Sequence, residues 1–189
     1  VIFKLINIFL FSFISSIYLI CAGSIFYAKK NNDISDIYTS IFFGSSLIGF
    51  GSVIINFYLP LDIVINSIIF IIILFVGLLL ILKRKNLYNV LICSFLISLI
   101  STLILSYDTI YRPDANLYHL PFTKIINENK IIFGISNIHF RFGHTSILQY
   151  LNANFYNFLF KENGIIIPAA IIFSSFVLYF YNEVKNNAE

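Results

Sequence analysis

Charge is what this sequence has least of. Lys, Arg, Asp and Glu make up 11% of its 189 residues, where a soluble domain carries roughly a quarter. With 59% hydrophobic and 18% aromatic positions and a mean hydropathy of +0.89, the balance excludes an ordinary soluble domain and points to a membrane protein. Neither sign of charge dominates. The formal net charge is +3 and the basic residues fall between greasy segments rather than along a solvated face, which argues against nucleic acid as a partner. Cysteine is scarce too: Cys21 and Cys93 both sit in apolar runs, where a thiol behaves as a small buried hydrophobe and forms a disulfide only if another faces it, so they say little about redox compartment. The chain begins at Val1 and stops at "NEVKNNAE" soon after an apolar run, so it reads as a piece of a longer protein or as one begun at a non-standard start codon. Its first apolar stretch is long enough to span and shows no small-residue cleavage pattern, and it is therefore read as a span rather than a cleavable signal.

Five stretches are free of Lys, Arg, Asp and Glu: Leu5 to Tyr27, Ile37 to Tyr58, Ile63 to Leu82, Leu87 to Tyr107 and Gly164 to Tyr181. About 20 helical residues cross a hydrocarbon core of roughly 30 Å, so each is predicted to be a transmembrane helix. The expected fold is all-α, a polytopic transmembrane helix bundle of five spans with an extracytoplasmic loop carrying interfacial helices. Its divisions are 1–107 for four spans, 108–163 for the loop, and 164–189 for the fifth span and a cytoplasmic tail. Only "LPLD" separates the second and third spans, with Pro60 ending one helix and Asp62 placed to cap the next. Gly44, Gly49 and Gly51 make the second span small-sided, which permits close helix contact. Tyr88, Tyr107, Tyr111, Tyr179 and Tyr181 fall at span ends, where aromatic rings anchor helices in the interface. "AKKNND" and "KRKN" lie on one side of the membrane, and dense basic charge in short loops marks it as cytoplasmic; the "LPLD" turn and the long loop then lie outside.

That loop holds most of the groups able to do chemistry. "DANLYHLPFTKIINENK" begins with Asp114 in a capping position and sets Leu117, Leu120, Ile125 and Ile126 near the helical period, with Pro121 predicted to bend or divide the helix. "TSILQYLNANFYNFLF" places Ile147, Leu148, Leu151, Phe155, Phe158 and Leu159 on one side, and both segments are predicted to lie along the outer membrane surface. Between them, "GISNIHFRFGHTS" gathers Asn137, His139, Arg141, His144 and Ser146, with Gly134 and Gly143 free to take turn conformations closed to other residues. His139 and His144, five apart, lack the four-residue spacing that aligns two metal ligands on a helix.

The stretch "PDANLYHLPFTKIINENKIIFGISNIHFRFGHTS" resembles the Asp-x-x-x-Tyr-His-Leu element and following Gly-x-x-Asn-x-His-x-Arg-x-Gly element of a family of uncharacterised bacterial polytopic membrane proteins. That family is similar in layout to the GT-C membrane glycosyltransferases, whose donor is a sugar on a polyprenyl phosphate and whose external loop carries an acidic residue. The resemblance covers about residues 108–155. It implies that Asp114 is the acidic catalyst, taking a proton from an acceptor hydroxyl or holding a divalent cation that does the activating. No cofactor is otherwise implied. Helix capping is the plain alternative for Asp114, and the two roles are compatible.

Arg141 is assigned to the departing lipid phosphate, because its planar fork can bond two phosphate oxygens; a headgroup anchor is the alternative. His119 and His139 are assigned to proton transfer or metal binding, against the plainer expectation of interface histidines that are only hydrogen bonded. Tyr118, four residues after Asp114, would orient the carboxylate, stack on a sugar or anchor in the interface, and Asp108, Asn137 and His144 complete the substrate-binding set. Two departures from the GT-C layout stand out: the acidic loop follows the fourth span rather than the first, and one span follows it rather than several.

The expected function is the N-terminal part of a GT-C-like transferase in the plasma (inner) membrane, with membrane lipid and a polyprenyl-phosphate-linked sugar as partners. The alternative is a non-catalytic membrane protein that binds or transports a lipid or polysaccharide. Absence of charge inside the spans counts against an ion or proton path.

Overall fold

In hydrocarbon an unpaired peptide group has no water to turn to, so charge-free runs of this length close their hydrogen bonds within themselves. The computed structural model describes residues 2–26, 34–107, 115–143 and 146–188. Its long helices are α1 (Ile2–Phe26), α2 (Ile34–Tyr58), α3 (Ile63–Lys83) and α4 (Leu87–Tyr107). A π-helical turn, Ala115–His119, then runs into α5 (Leu120–Glu128), and two 3-10 turns, Ile135–Asn137 and Phe140–Gly143, lead to the short α6 (Ile147–Asn154). A further 3-10 turn, Lys161–Gly164, precedes α7 (Ile167–Ala188). No strand occurs among the described residues. Five helices are long and apolar enough to cross a membrane, as predicted, and the chain is an all-α integral membrane protein.

The middle of α1 is enclosed on all sides. From Ser15 to Ser24 nearly every residue is buried, and α2, α3, α4 and α7 all pack against this helix. Small residues make that possible: a Cβ on Gly23 would fall 1.8 Å from the Ser40 carbonyl oxygen, and one on Gly44 would fall 2.0 Å from that of Leu19. Gly77 of α3 likewise faces Cys21. Cys21 and Cys93 are both buried, as expected, and their thiols are free. The three glycines of α2 serve different ends: Gly44 faces α1, Gly49 faces Ile147 of α6, and Gly51 faces open space. Serines link α7 to its neighbours, with Ser101 and Ser174 hydroxyls 2.9 Å apart and Ser175 donating to the Tyr38 carbonyl.

Asp62 caps α3 as its position predicted, its Oδ1 accepting from Val64 and Ile65 N–H at 2.9 and 2.8 Å. The Leu61 N–H donates to the Ile126 carbonyl and the Ile131 N–H to that of Asn56. These bonds bring the "LPLD" turn and the long loop to one end of the bundle, the end of α3 remote from "KRKN". The expected common side of turn and loop is thus observed.

α5 and α6 depart from the predicted surface helices in their buried faces. In α5 the inward face is Phe122, Thr123, Ile126 and Asn127, whereas Leu117 and Leu120 are exposed. The predicted face weighed hydrophobicity alone, but the bundle end offers carbonyl groups that draw in amides. Asn127 donates to the Leu61 and Ala153 carbonyls. Pro121, which has no N–H to give Leu117, falls where the π turn passes into α5, so the expected two-part helix is present as a change of helical register. α6 ends at Asn154 and is sunk into the bundle: Tyr150, Leu151, Ala153 and Asn154 are buried and Ile147 abuts Gly49. Burial raises the Tyr150 phenol above its ordinary value.

What holds this inserted loop is a set of buried asparagines. Asn56 donates to the carbonyls of Leu59, Ile126 and Asn129, and Asn66 to those of Leu61, Ala153 and Tyr156. Asn154 donates to the Asn66 side-chain oxygen at 3.4 Å and accepts the Tyr18 hydroxyl at 3.0 Å. Irregular backbone at this depth is tolerated because side-chain amides replace the water it would otherwise need.

Candidate functional site

The loop does not fill all the space it encloses. A cavity of about 800 Å³ lies between the π turn, the Phe140–Gly143 turn, α6 and the start of α7. Tyr118, His119 and Arg141 line it, so three of the residues singled out in the sequence converge on one place. The Arg141 guanidinium lies 4.6 Å from the Tyr118 ring centroid and 5.6 Å from that of Phe140, while the His119 ring lies tilted against Tyr118, 4.2 Å between centroids. A cation set against ring faces is attracted by the ring quadrupoles, which helps to fix its place. Among the described residues lining the cavity, Arg141 carries the one formal charge.

His139 takes a different place. Its Nδ1 accepts the Arg141 backbone N–H at 3.3 Å, and its ring packs on Phe140 and Phe142, each at 5.2 Å. It positions the turn that presents Arg141 and is not among the residues lining the cavity. Asn137 is exposed and closes the preceding turn through its backbone N–H to Gly134. Gly134 adopts φ +78°, the left-handed conformation predicted for it; Gly143 does not, and its smallness instead accommodates Ser136, 3.2 Å from where a Cβ would sit. Asp108, Asp114 and His144 lie outside the described residues. Among the described residues no three His, Cys, Asp or Glu side chains are grouped to hold a metal ion.

Of the remaining polar wall the sequence singled out Ser146, but not Gln149 or Asn152. Ser146 and Gln149 form a capping box: Ser146 Oγ accepts the Gln149 N–H at 3.4 Å and Gln149 Oε1 accepts the Ser146 N–H at 3.0 Å. Asn152, oriented with its NH₂ group toward the carbonyls of Ile165 and Leu148 at 3.3 Å each, joins α6 to the approach of α7. The sequence signal was the Ser-x-x-Gln spacing at 146 and 149, which marks a helix start. A helix starting there carries Gln149 and Asn152 on one face, three residues apart. Ile165, Ile166 and Ala169 supply the apolar wall opposite. Among the described residues the recess has one cation, several amide and hydroxyl groups and an apolar flank, which suits an anionic, hydroxylated group carried on something greasy.

No curated protein and no solved structure matches the chain. A family profile matches residues 2–189, and the chain belongs to that family, described as Domain of unknown function (DUF8201).

Proposed function

We propose that the cavity receives the headgroup of a lipid-phosphate-linked sugar and that the chain is part of a GT-C-like glycosyltransferase of the plasma membrane, acting outside the cytoplasm. The observation that carries this reading is Arg141 stacked on Tyr118 in the wall of an 800 Å³ recess at the loop-bearing end of a transmembrane bundle. The volume falls within the roughly 300–1,000 Å³ of small-molecule sites. Lys83, Arg84 and Lys85 at the opposite end of α3 support an outward-facing site by the positive-inside rule.

In the proposed reaction an acceptor hydroxyl attacks the anomeric carbon, and the bond from that carbon to the phosphate oxygen breaks. The hydroxyl proton passes to the Asp114 carboxylate, while the departing lipid phosphate keeps the electron pair and is stabilised by Arg141. A divalent cation held by Asp114 is the other means of activating the hydroxyl. His119, tilted against Tyr118, is the described group able to relay a proton, and the Gln149 and Asn152 amides suit sugar hydroxyls. A non-catalytic lipid-binding protein is the second reading, favoured by a described wall that holds hydrogen-bonding groups and a cation but no carboxylate.

The test is binding of polyprenyl phosphate to the protein in lipid nanodiscs. Arg141→Ala is expected to weaken it about 10- to 100-fold, the worth of a charge-assisted hydrogen bond, with Arg141→Lys recovering part of the loss. Unchanged binding in Arg141→Ala would remove the headgroup assignment. Asp114→Asn separates the two readings: it should abolish sugar transfer with lipid phosphate still bound, whereas absence of transfer in the unmutated protein favours the binding protein.

A further inference from the structure

The turns between α5 and α6 carry apolar side chains that the bundle does not cover. Phe133 and Ile138 are 84 and 78% exposed, more than any other large apolar residue among the described ones, and Ile132 and Phe140 beside them are exposed too. Neighbouring apolar side chains left uncovered mark a contact surface. Their depth follows from what holds them. The Ile131 N–H donates to the Asn56 carbonyl at 3.0 Å, and the Asn56 amide donates to the Asn129 carbonyl at 2.9 Å. Asn56 lies near the end of the charge-free run Ile37 to Tyr58, which is about 33 Å of helix and so reaches from one edge of the hydrocarbon to the other. Ile131 is thereby tied to the hydrocarbon edge. From it to Phe133 the chain reaches at most about 7 Å, roughly the thickness of one headgroup layer.

These tips stand on a packed base. Gly134, in its left-handed conformation, turns the chain directly after Phe133, and the Ile138 N–H closes onto the Ile135 carbonyl at 3.0 Å. Behind them Ile135 and Phe142 pack against the buried cluster of Leu61, Phe122, Ile126 and Tyr150, with the Phe122 and Phe142 rings stacked at 5.6 Å. On α2, Phe50, Ile54 and Phe57 form an exposed row at helical spacing, the face that such a span turns to lipid. The row ends beside Asn56, where Ile131 is bonded, so Ile132 and Phe133 continue a lipid-facing surface. Lys130, exposed next to them, suits phosphate headgroups.

We infer that Phe133 and Ile138, with Ile132 beside α2, form a wedge that enters the headgroup layer of the membrane and seats the loop on it. The partner is the lipid surface itself, and the inference stands apart from any reaction at the recess. α5 and α6, predicted to lie along that surface, are sunk in the bundle, and the role passes to the turns between them. Phe140 and Arg141 follow on the same pair of turns, so the wedge also fixes the rim of the recess at headgroup level.

The chain has no tryptophan, so single indoles report each place in turn. Phe133→Trp and Ile138→Trp replace exposed side chains, and Phe75→Trp, exposed midway along α3, is the deep reference. In phosphatidylcholine nanodiscs, positions 133 and 138 should emit at shorter wavelength than N-acetyltryptophanamide in water and lose about half of their emission or more to lipid brominated near the headgroup. Lipid brominated near the chain end should quench position 75 more and these two less. Phe133→Asp with Ile138→Asp should cut the lipid quenching of Phe140→Trp about twofold and leave the thermal midpoint unchanged, since both side chains are exposed. Water-like emission at positions 133 and 138 with free access to iodide overturns the wedge. Indoles shielded from iodide yet unquenched by brominated lipid, with two chains per nanodisc by native mass spectrometry, assign the tips to a second copy and overturn it as well. Unchanged quenching at position 140 in the doubly substituted protein overturns the seating role.

Discussion

Replacing Asn66 by leucine is expected to lower the thermal midpoint of the protein in detergent by about 5–15 °C, the shift that roughly 2–4 kcal/mol produces in a chain of this size. Asn66 is fully buried near the start of α3, and its NH₂ group lies 2.7, 2.9 and 2.9 Å from the carbonyls of Leu61, Ala153 and Tyr156. Leucine fills a similar volume and supplies no donor. Leu61 and Ala153 keep Asn127 as a partner, but Tyr156 loses its side-chain donor and Asn154 loses an acceptor. Each buried group left unpaired costs about 1–3 kcal/mol, while a single hydrogen bond between membrane helices contributes about 0.6 kcal/mol, so the orphaned groups decide the outcome. Unfolding is read by a thiol-reactive dye, because Cys21 and Cys93 are both buried until the bundle opens. A further readout follows from the role of Asn66 in seating α6: lipid-phosphate binding should weaken below the midpoint, as Gln149 and Asn152 lose their fixed places. A midpoint within a degree or two of the unmutated protein would show that the asparagine set does not hold the loop.

This dependence explains which parts of the structure were legible in the sequence. The five spans were plain, because absence of charge over about 20 residues has one physical solution in a bilayer. Asp62 and Pro60 were legible for the same kind of reason, since capping and chain termination are local. The convergence of Tyr118, His119 and Arg141 was foreshadowed by their common loop, but not by any spacing, since Arg141 is 22 residues beyond His119. What the sequence concealed was depth. α5 and α6 were predicted to lie on the surface because their polar residues look like a solvated face. Asn127 instead turns inward to backbone carbonyls supplied by distant turns and Asn154 to the side chains of Asn66 and Tyr18, and Asn66 in an otherwise apolar span was the visible clue to where those turns would dock. Hydrophobic periodicity cannot see such pairings, because an amide satisfied by a buried carbonyl and one satisfied by water have the same sequence.

Glycine substitutions in α2 are expected to separate three positions that composition alone treats alike. At Gly44, a Cβ would lie 2.0 Å from the Leu19 carbonyl oxygen and 2.9 Å from the Gly23 nitrogen, and these are backbone atoms that cannot rotate aside. Gly44→Val therefore forces α1 and α2 apart. α1 is the helix around which the others pack, and its Tyr18 hydroxyl bonds Asn154, so the displacement carries to the loop as well. Overpacking of a close helix contact costs about 1–3 kcal/mol where neighbours can yield and more where they cannot, so a loss of about 3–5 kcal/mol is expected at this site. Gly44→Val should accordingly give little monodisperse protein on size exclusion and early labelling of both cysteines. Gly49→Ala meets the Ile147 side chain at 2.3 Å and its carbonyl oxygen at 3.2 Å, a contact that α6 can partly relieve, and its midpoint should fall between the others. Gly51 has nothing within 4 Å of the added carbon. There Gly51→Ala removes backbone freedom from a helix interior and should stabilise by up to about 0.5–1 kcal/mol. A midpoint at position 44 that is not the lowest of the three would mean that α1 and α2 do not meet through Gly23 and Gly44, and the enclosed position of α1 would then have to be abandoned.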